Sequence, residues 1–415
     1  MNEVRNILIG FELRREFSQF CYYDRKAQDP ISIPMKVGTN EYEFSTHLSK
    51  KKGEDTWRFG MEADYFASQE GWIGIDSLYD LCESVEPVMV DEEERQPFEL
   101  MGEFLKETLK MLGIAEPIAH ISGLMITTEE LSRNMVLNLR KACMYAGFEK
   151  GQFFVQDFHE SFYYHTFYQR PEIWNRRVAL FHFHDDKVSY EDLILNPKPR
   201  PMAVTLTKGK TIELNPNPKE RDMEFYQLIQ DSFKNYLFSG VFLTGEGFDK
   251  AWAVKSIALL CKNQRKVFYG NNLFAKGACY AVKERLEEHN LKGYLYEGQD
   301  LVKTNIGMEM TIQGTQAYYS MVMAGVNWYE AEKECEFLLD DTSELVFSVH
   351  NMESQERTRY RMQLSNLPQR PNKTTRIHLS VEFESPHKCQ IVAKDMGFGE
   401  MYASSGQIWT DLLEV

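Results

Sequence analysis

The chain changes its rhythm near residue 296. Before it, short apolar runs alternate with segments of helical character. After it come six β-rich runs (MEMTIQG, YYSMVMAG, ELVFSVH, RYRMQLSNLP, RIHLSVEFE and CQIVAKD) with turn residues between them and almost no helical periodicity. Strands alternating with helices imply an α/β domain with a largely parallel or mixed sheet. Strands alone, closely spaced, imply an all-β sandwich. The expected organisation is therefore an α/β domain over residues 1–295 and a β-sandwich over 296–415.

Within the first domain, ILIGFEL (7–13) and FCYYD (20–24) read as a β-hairpin joined by RREFS. Short extended pieces (ISIPMKV, TWRFG) and a weaker helical region at 76–84 follow. The acidic run DEEER at 91–95 precedes Pro97 and a helix running to Gly113, and reads as the solvated N-terminus of that helix, where carboxylates suit the dipole. AHISGLMI reads as a strand, Thr127 and Glu130 have the spacing of a capping box, and Gly147 closes the helix. Next come a strand FFVQD, a ring-rich helix ESFYYHTFYQ, the strand pair RVALFHFH (177–184) and VSYEDLIL, and a helix over 222–238. Last is VFLTGEGFDKAWAV (241–254), an apolar strand that breaks at two glycines and turns into a helix.

Composition narrows the function classes. A net charge of −15 opposes nucleic acid or an anionic membrane as the main partner, since both need a basic surface. No apolar run reaches the roughly 18 residues of a membrane span, and the start MNEVRNILIGFEL lacks the pattern of a secretory signal. Seven cysteines at scattered positions, none in a CxxC pair, read as reduced thiols of a cytoplasmic protein.

The order of these segments resembles the heat-shock chaperones of the seventy-kilodalton class, within the actin-like ATPase superfamily. ILIGFELRREFSQFCYYD is similar to the first phosphate hairpin, and WRFGMEA to a short segment that follows it. MITTEELSRNMVLNLRKACMYAGFEKGQFFVQDFHESFYY is similar to the catalytic core with its crossover helix. VALFHFHDDKVSY takes the place of the second phosphate hairpin. VFLTGEGFDKAWAV with NNLFAKGACYAV resembles the adenosine turn and its closing helix, and LSNLPQRPNKTTRIHLSVEFESPHKCQIVAKDMGFGE the peptide-binding sandwich. The resemblance implies a two-lobed actin-like ATPase-type domain followed by a β-sandwich similar to a chaperone peptide-binding domain. One outer subdomain is much reduced, and the family's helical lid has no counterpart.

In such proteins carboxylates organise hydrated Mg²⁺ and glycine turns cradle phosphates. Glu12 takes the place of the first-hairpin aspartate, and Arg14 that of the glycine behind it. His182, Phe183 and His184 replace the acid and glycine of the second hairpin, leaving Asp185 and Asp186, in the turn, as the acids there. Asp157 and Glu160 are the candidates for the crossover-helix acid, with helix N-terminal acids as the structural reading. The catalytic candidates are thus Glu12, Asp157 and Glu160. The nucleotide-binding candidates are Arg14, Arg15, Gly245, Glu246, Gly247 and Phe248. Arg14 and Arg15 suit an anion if they replace Mg²⁺ as counter-charge, or pair with local acids. His182 and His184 alternate along one strand, but no third metal ligand stands at a recognisable spacing, so no metal site is assigned.

These substitutions imply a chaperone-like binding module for a protein or peptide partner, with a degenerate, non-hydrolysing nucleotide-binding fold. ATP or ADP, with or without Mg²⁺, is the ligand the resemblance implies. The alternative is a divergent Mg²⁺-dependent ATPase using Glu12 with Asp157 or Glu160. A filament-forming actin relative fits less well, because a C-terminal β-sandwich is outside the actin plan.

Overall fold

The computed structural model describes residues 6–36 and 38–415. Residues 1–5, which carry part of the reading against a secretory signal, and Val37 of ISIPMKV lie outside the described residues. The chain divides into two compact units, the first ending at Tyr296 and the second spanning Glu297–Val415.

The first unit contains the same strand plan twice. Strands β1 (Ile7–Leu13), β2 (Phe17–Asp24), β3 (Asp29–Ser32), β4 (Ile121–Thr128) and β5 (Phe153–Asp157) form one sheet in the order β5-β4-β1-β2-β3. Strands β6 (Arg177–His184), β7 (Lys187–Asn196), β8 (Met202–Glu213), β9 (Phe238–Gly245) and β10 (Lys266–Tyr269) form the second in the order β10-β9-β6-β7-β8, with Tyr294–Tyr296 added beyond β8. In each sheet the first three strands are antiparallel neighbours, and the first, fourth and fifth run parallel. The parallel strands are covered on both sides, which explains their continuous apolar runs: β1 is buried from Leu8 to Leu13.

Between β3 and β4 lies a long excursion with a three-stranded sheet (Leu48–Lys51, Trp57–Phe59, Trp72–Ile75) and the helix α1 (Pro97–Leu109). Helix α2 (Arg133–Ala146) joins β4 to β5, and α3 (Phe158–Phe167) follows β5. The equivalent excursion between β8 and β9 is the single helix α4 (Pro218–Phe233). Helices α5 (Val254–Leu260) and α6 (Leu273–Lys283) complete the second half.

The helix that follows the fifth strand of each half packs on the sheet of the other. From α3, Phe158, Phe162 and Phe167 join Val178, Leu180 and Phe242 of the second sheet. From α6, Ala278, Ala281 and Val282 join Leu8 and Met125 of the first. Two glycines allow this exchange. A Cβ at Gly10 would stand 2.1 Å from the Ala275 carbonyl oxygen, and one at Gly277 1.9 Å from that of Ser161. Backbone therefore meets backbone where α6 crosses β1 and α3.

Several local expectations change. DEEER does not open a helix: Val88–Val90 and Glu93–Arg95 form a small hairpin with Asp91 and Glu92 at its tip in left-handed conformation. The helix itself starts at Pro97 as expected, with Gln96 and Glu99 making the capping box, and its last turn closes at Gly113. Thr127 is no cap either. It lies in β4 and its hydroxyl donates to the Asp157 carbonyl, while Ser132 caps α2 through the Met135 amide. The helix expected over 222–238 runs Pro218–Phe233, and β8 was not anticipated.

The second unit holds eight strands: β11 (Thr304–Ile312), β12 (Thr315–Val322), β13 (Glu332–Leu338), β14 (Glu344–Asn351), β15 (Arg357–Gln363), β16 (Arg376–Ser385), β17 (Lys388–Gly397) and β18 (Ile408–Glu414). They make two antiparallel sheets, β12-β11-β14-β15 and β13-β16-β17-β18. Alternating burial along β14, β16 and β17 gives each sheet one buried face. The loop before β18 is anchored by Asp395, which takes two 2.8 Å bonds from Arg370 and one each from the Ser405 hydroxyl and the Gly397 amide. Among the described residues no helix is long and apolar enough to cross a membrane.

The crossing of α6 should tolerate no side chain. Gly277→Ala is expected to lose about 3 kcal/mol or more. Gly113→Ala, where a Cβ meets nothing and only a positive φ is strained, should lose about 1 kcal/mol. Denaturant midpoints of the two variants provide the comparison.

Candidate functional site

The C-terminal end of β1 delivers Glu12 to the N-terminus of α6. Its carboxylate is fully buried. Oε1 accepts from Arg14 Nε at 2.6 Å and lies 2.5 Å from Arg14 Nη2. Oε2 accepts from Gln19 Nε2 at 3.0 Å and from the Ala275 amide at 3.1 Å. An acid in the first turn of a helix is favoured by the dipole and by the unpaired amides there. Burial still raises the Glu12 pKa, against the lowering effects of Arg14, Ala275 and Gln19.

Arg14 completes a layered cluster. Its guanidinium carbon lies 5.1 Å from the Phe158 ring centre and 5.7 Å from that of Phe274. These two rings stack at 4.4 Å with a 6° interplanar angle, and the edge of His182 meets Phe274 at 5.7 Å. Burial, then the charges of Arg14 and His184, push His182 down to about 3, so this ring is neutral at ordinary pH. Arg14 keeps 24% of its side-chain surface exposed. Arg15 is elsewhere: it is solvated, bound to Asp80 at 2.8 Å and set over Tyr79.

Asp157 and Glu160 have separate partners. Asp157 is the N-cap of α3, and its Oδ1 accepts from the Glu160 amide at 2.7 Å. The Glu160 carboxylate lies 3.8 Å from Arg285. Among the described residues no three His, Cys, Asp or Glu side chains are grouped to hold a metal ion. One arrangement was not foreseen: His159 lies between two acids, its Nε2 3.1 Å from Glu191 and its Nδ1 3.6 Å from Asp157. Burial alone would depress its pKa, but hydrogen bonds to these acids outweigh burial and raise it to about 10. The Asp-Phe-His spacing at a strand-to-helix junction was visible; Glu191, 32 residues away, was not.

The two glycines of the GEG turn are required by packing. Gly245 and Gly247 have positive φ, and Cβ atoms there would come 2.0 Å from the Phe183 oxygen and 2.3 Å from that of Asp185. The turn thus lies directly on the β6–β7 hairpin. Glu246 projects into solvent. Phe248 is core, with its ring 5.1 Å from Phe183 and 4.9 Å from Tyr269. A hydrogen-bonded chain ties the turn to the first hairpin. The Gly245 amide donates to Asn271 Oδ1, Gln19 donates to the Asn271 carbonyl, and Gln19 also reaches Glu12. The fold therefore gathers Glu12, Arg14, His182 and Gly245 around the start of α6. Arg15, Glu160 and Phe248 stand outside that group.

The sequence pattern of a family of unknown function, the C-terminal part of DUF5716, matches residues 29–299, and the chain belongs to that family. A domain of unknown function, DUF8552, matches residues 301–415. No curated protein matches the chain.

Two measurements test this geometry. Glu12→Ala strands Arg14 beside two rings and should cost about 3 kcal/mol, while Glu12→Leu with Arg14→Met should cost less than either single change, a non-additivity of at least about 1 kcal/mol. His159 has a folded pKa above its unfolded one, so its contribution is complete below about pH 6.5 and is lost as pH rises through about 10. Unfolding free energy should fall across that window by at most about 1.4 kcal/mol per pH unit, and His159→Gln should flatten the slope.

Proposed function

We propose that this chain is a chaperone-like binding protein. In this reading its first unit is a nucleotide-binding-type fold kept as a scaffold, without hydrolysis, and its second unit holds an extended protein or peptide segment. The observation that carries the reading is the engagement of Glu12. This acid stands where the resemblance would have a metal-organising carboxylate, yet its oxygens accept from Arg14, Gln19 and the Ala275 amide. A carboxylate so occupied has little capacity left for ordering Mg²⁺-bound water. The GEG glycines likewise face the β6–β7 hairpin backbone rather than an open cradle.

The repeated strand order of the two sheets supports the actin-like comparison, although a fold alone does not assign an activity. The second unit supports the binding role: its two antiparallel sheets end in four edge strands, and extended segments add to such edges through backbone hydrogen bonds. The free state of all seven cysteines suits a reducing, cytoplasmic setting. The net charge of −15 suits a protein partner over nucleic acid.

Phosphate release and thermal unfolding with ATP or ADP, each in Mg²⁺ or in EDTA, test the nucleotide half of this reading. Release at the background rate is expected, with any melting shift equal in both media. A site filled to about 100 times its Kd adds roughly 2.7 kcal/mol, enough to be seen. A Mg²⁺-dependent shift with turnover that Glu12→Ala abolishes would overturn the reading in favour of a divergent ATPase.

A further inference from the structure

The second unit has ten Lys and Arg against eighteen Asp and Glu, so a concentration of positive charge there is an exception. Three of the ten occur at alternate positions of one strand: Arg357, Arg359 and Arg361 of β15. That strand is the last of its sheet, paired with β14 alone. Alternate residues on a strand point to the same face about 7 Å apart, so the arginines form a row along a free edge. All three are exposed. Arg361 is bound to Glu344 at 2.6 Å, whereas Arg357 and Arg359 have no ion-pair partner among the described residues. The residues between them, Thr358 and the half-buried Tyr360, point to the other face.

We infer that the free edge of β15 receives an extended segment of a partner protein with acidic residues at alternate positions, which adds to the sheet as a fifth strand. The inference rests on the binding reading above and gives it a site and a partner chemistry. Backbone N–H and C=O groups of β15 supply hydrogen bonds common to any sequence. The arginine row selects among them, because guanidinium groups bind carboxylates in a planar, two-toothed geometry. Cross-strand pairs of opposite charge stabilise while like charges oppose. The incoming acidic positions face Arg357 and Arg359, and the intervening apolar positions cover Thr358 and Tyr360. A like-charged edge also discourages pairing with a neutral strand, and the same charge admits an acidic one. Nucleic acid shares the negative charge but meets the repulsion of the rest of an acidic chain.

The probes are capped, dye-labelled heptapeptides added to the full chain at low salt and read by fluorescence anisotropy. One alternates Glu and Val, one alternates Lys and Val, one has the Glu–Val composition in two blocks, and one is built of Leu and Thr. The alternating acidic peptide should bind at least tenfold more tightly than the block peptide, and more weakly as salt rises. R357E/R359E should weaken it at least tenfold and bind the Lys–Val peptide in its place, while R357Q/R359Q should weaken it without that exchange. Equal binding of the alternating and block peptides, or binding indifferent to the charge reversal, would overturn this assignment. Binding of the Leu–Thr peptide alone would also overturn it, yet would leave peptide binding in place. Binding of none would overturn both. Concentration-dependent self-association that R357E/R359E abolishes would assign the edge to a second copy of the chain and overturn the acidic partner.

Discussion

The close passage of α6 over β1 is the constraint on which the rest of the first unit depends. It brings the helix near enough for its Ala275 amide to reach the Glu12 carboxylate, and it is possible only because position 10 carries no side chain, as the crossing of α6 with α3 requires none at position 277. Each half of the unit then buries the end of the other: α6 closes the first sheet, and α3 closes the second. A repeated sheet that could have made two small domains becomes one body because the covering helices are exchanged.

The same passage explains the character of the candidate site. A helix N-terminus facing two hairpin turns offers amides and a favourable dipole for an anion. Here the chain supplies that anion itself, as Glu12, and neutralises it with Arg14 on a platform of two stacked rings. The electrostatic requirement is met internally. In the reading proposed above the first unit is a preserved frame, while the edge strands of the second unit keep backbone groups that no neighbouring strand pairs.

How far the sequence revealed this depends on whether the signal is local. Strands β1 and β6 were read to their end residues because buried parallel strands are unbroken apolar runs. Strand β8, with half of its residues solvent-facing, and β13, with glutamates at alternate positions, look like loops by composition. The Thr127–Glu130 spacing imitates a cap, since two residue types three apart cannot reveal that Thr127 is still within a strand. Glu12 and Arg14 lie on one face by alternation alone, so their pairing was open to inference. The third partner, Ala275, was not, because no short-range pattern joins positions 263 apart.

That separation has a consequence in time. During synthesis β1 and its Glu12 emerge long before the helix that covers them, and at about 5–20 residues per second the wait is roughly 13 to 50 s. Throughout it the nascent chain shows an uncovered glycine-bearing strand and a carboxylate whose partner amide does not yet exist. Contacts of such long range also slow the search once the chain is released.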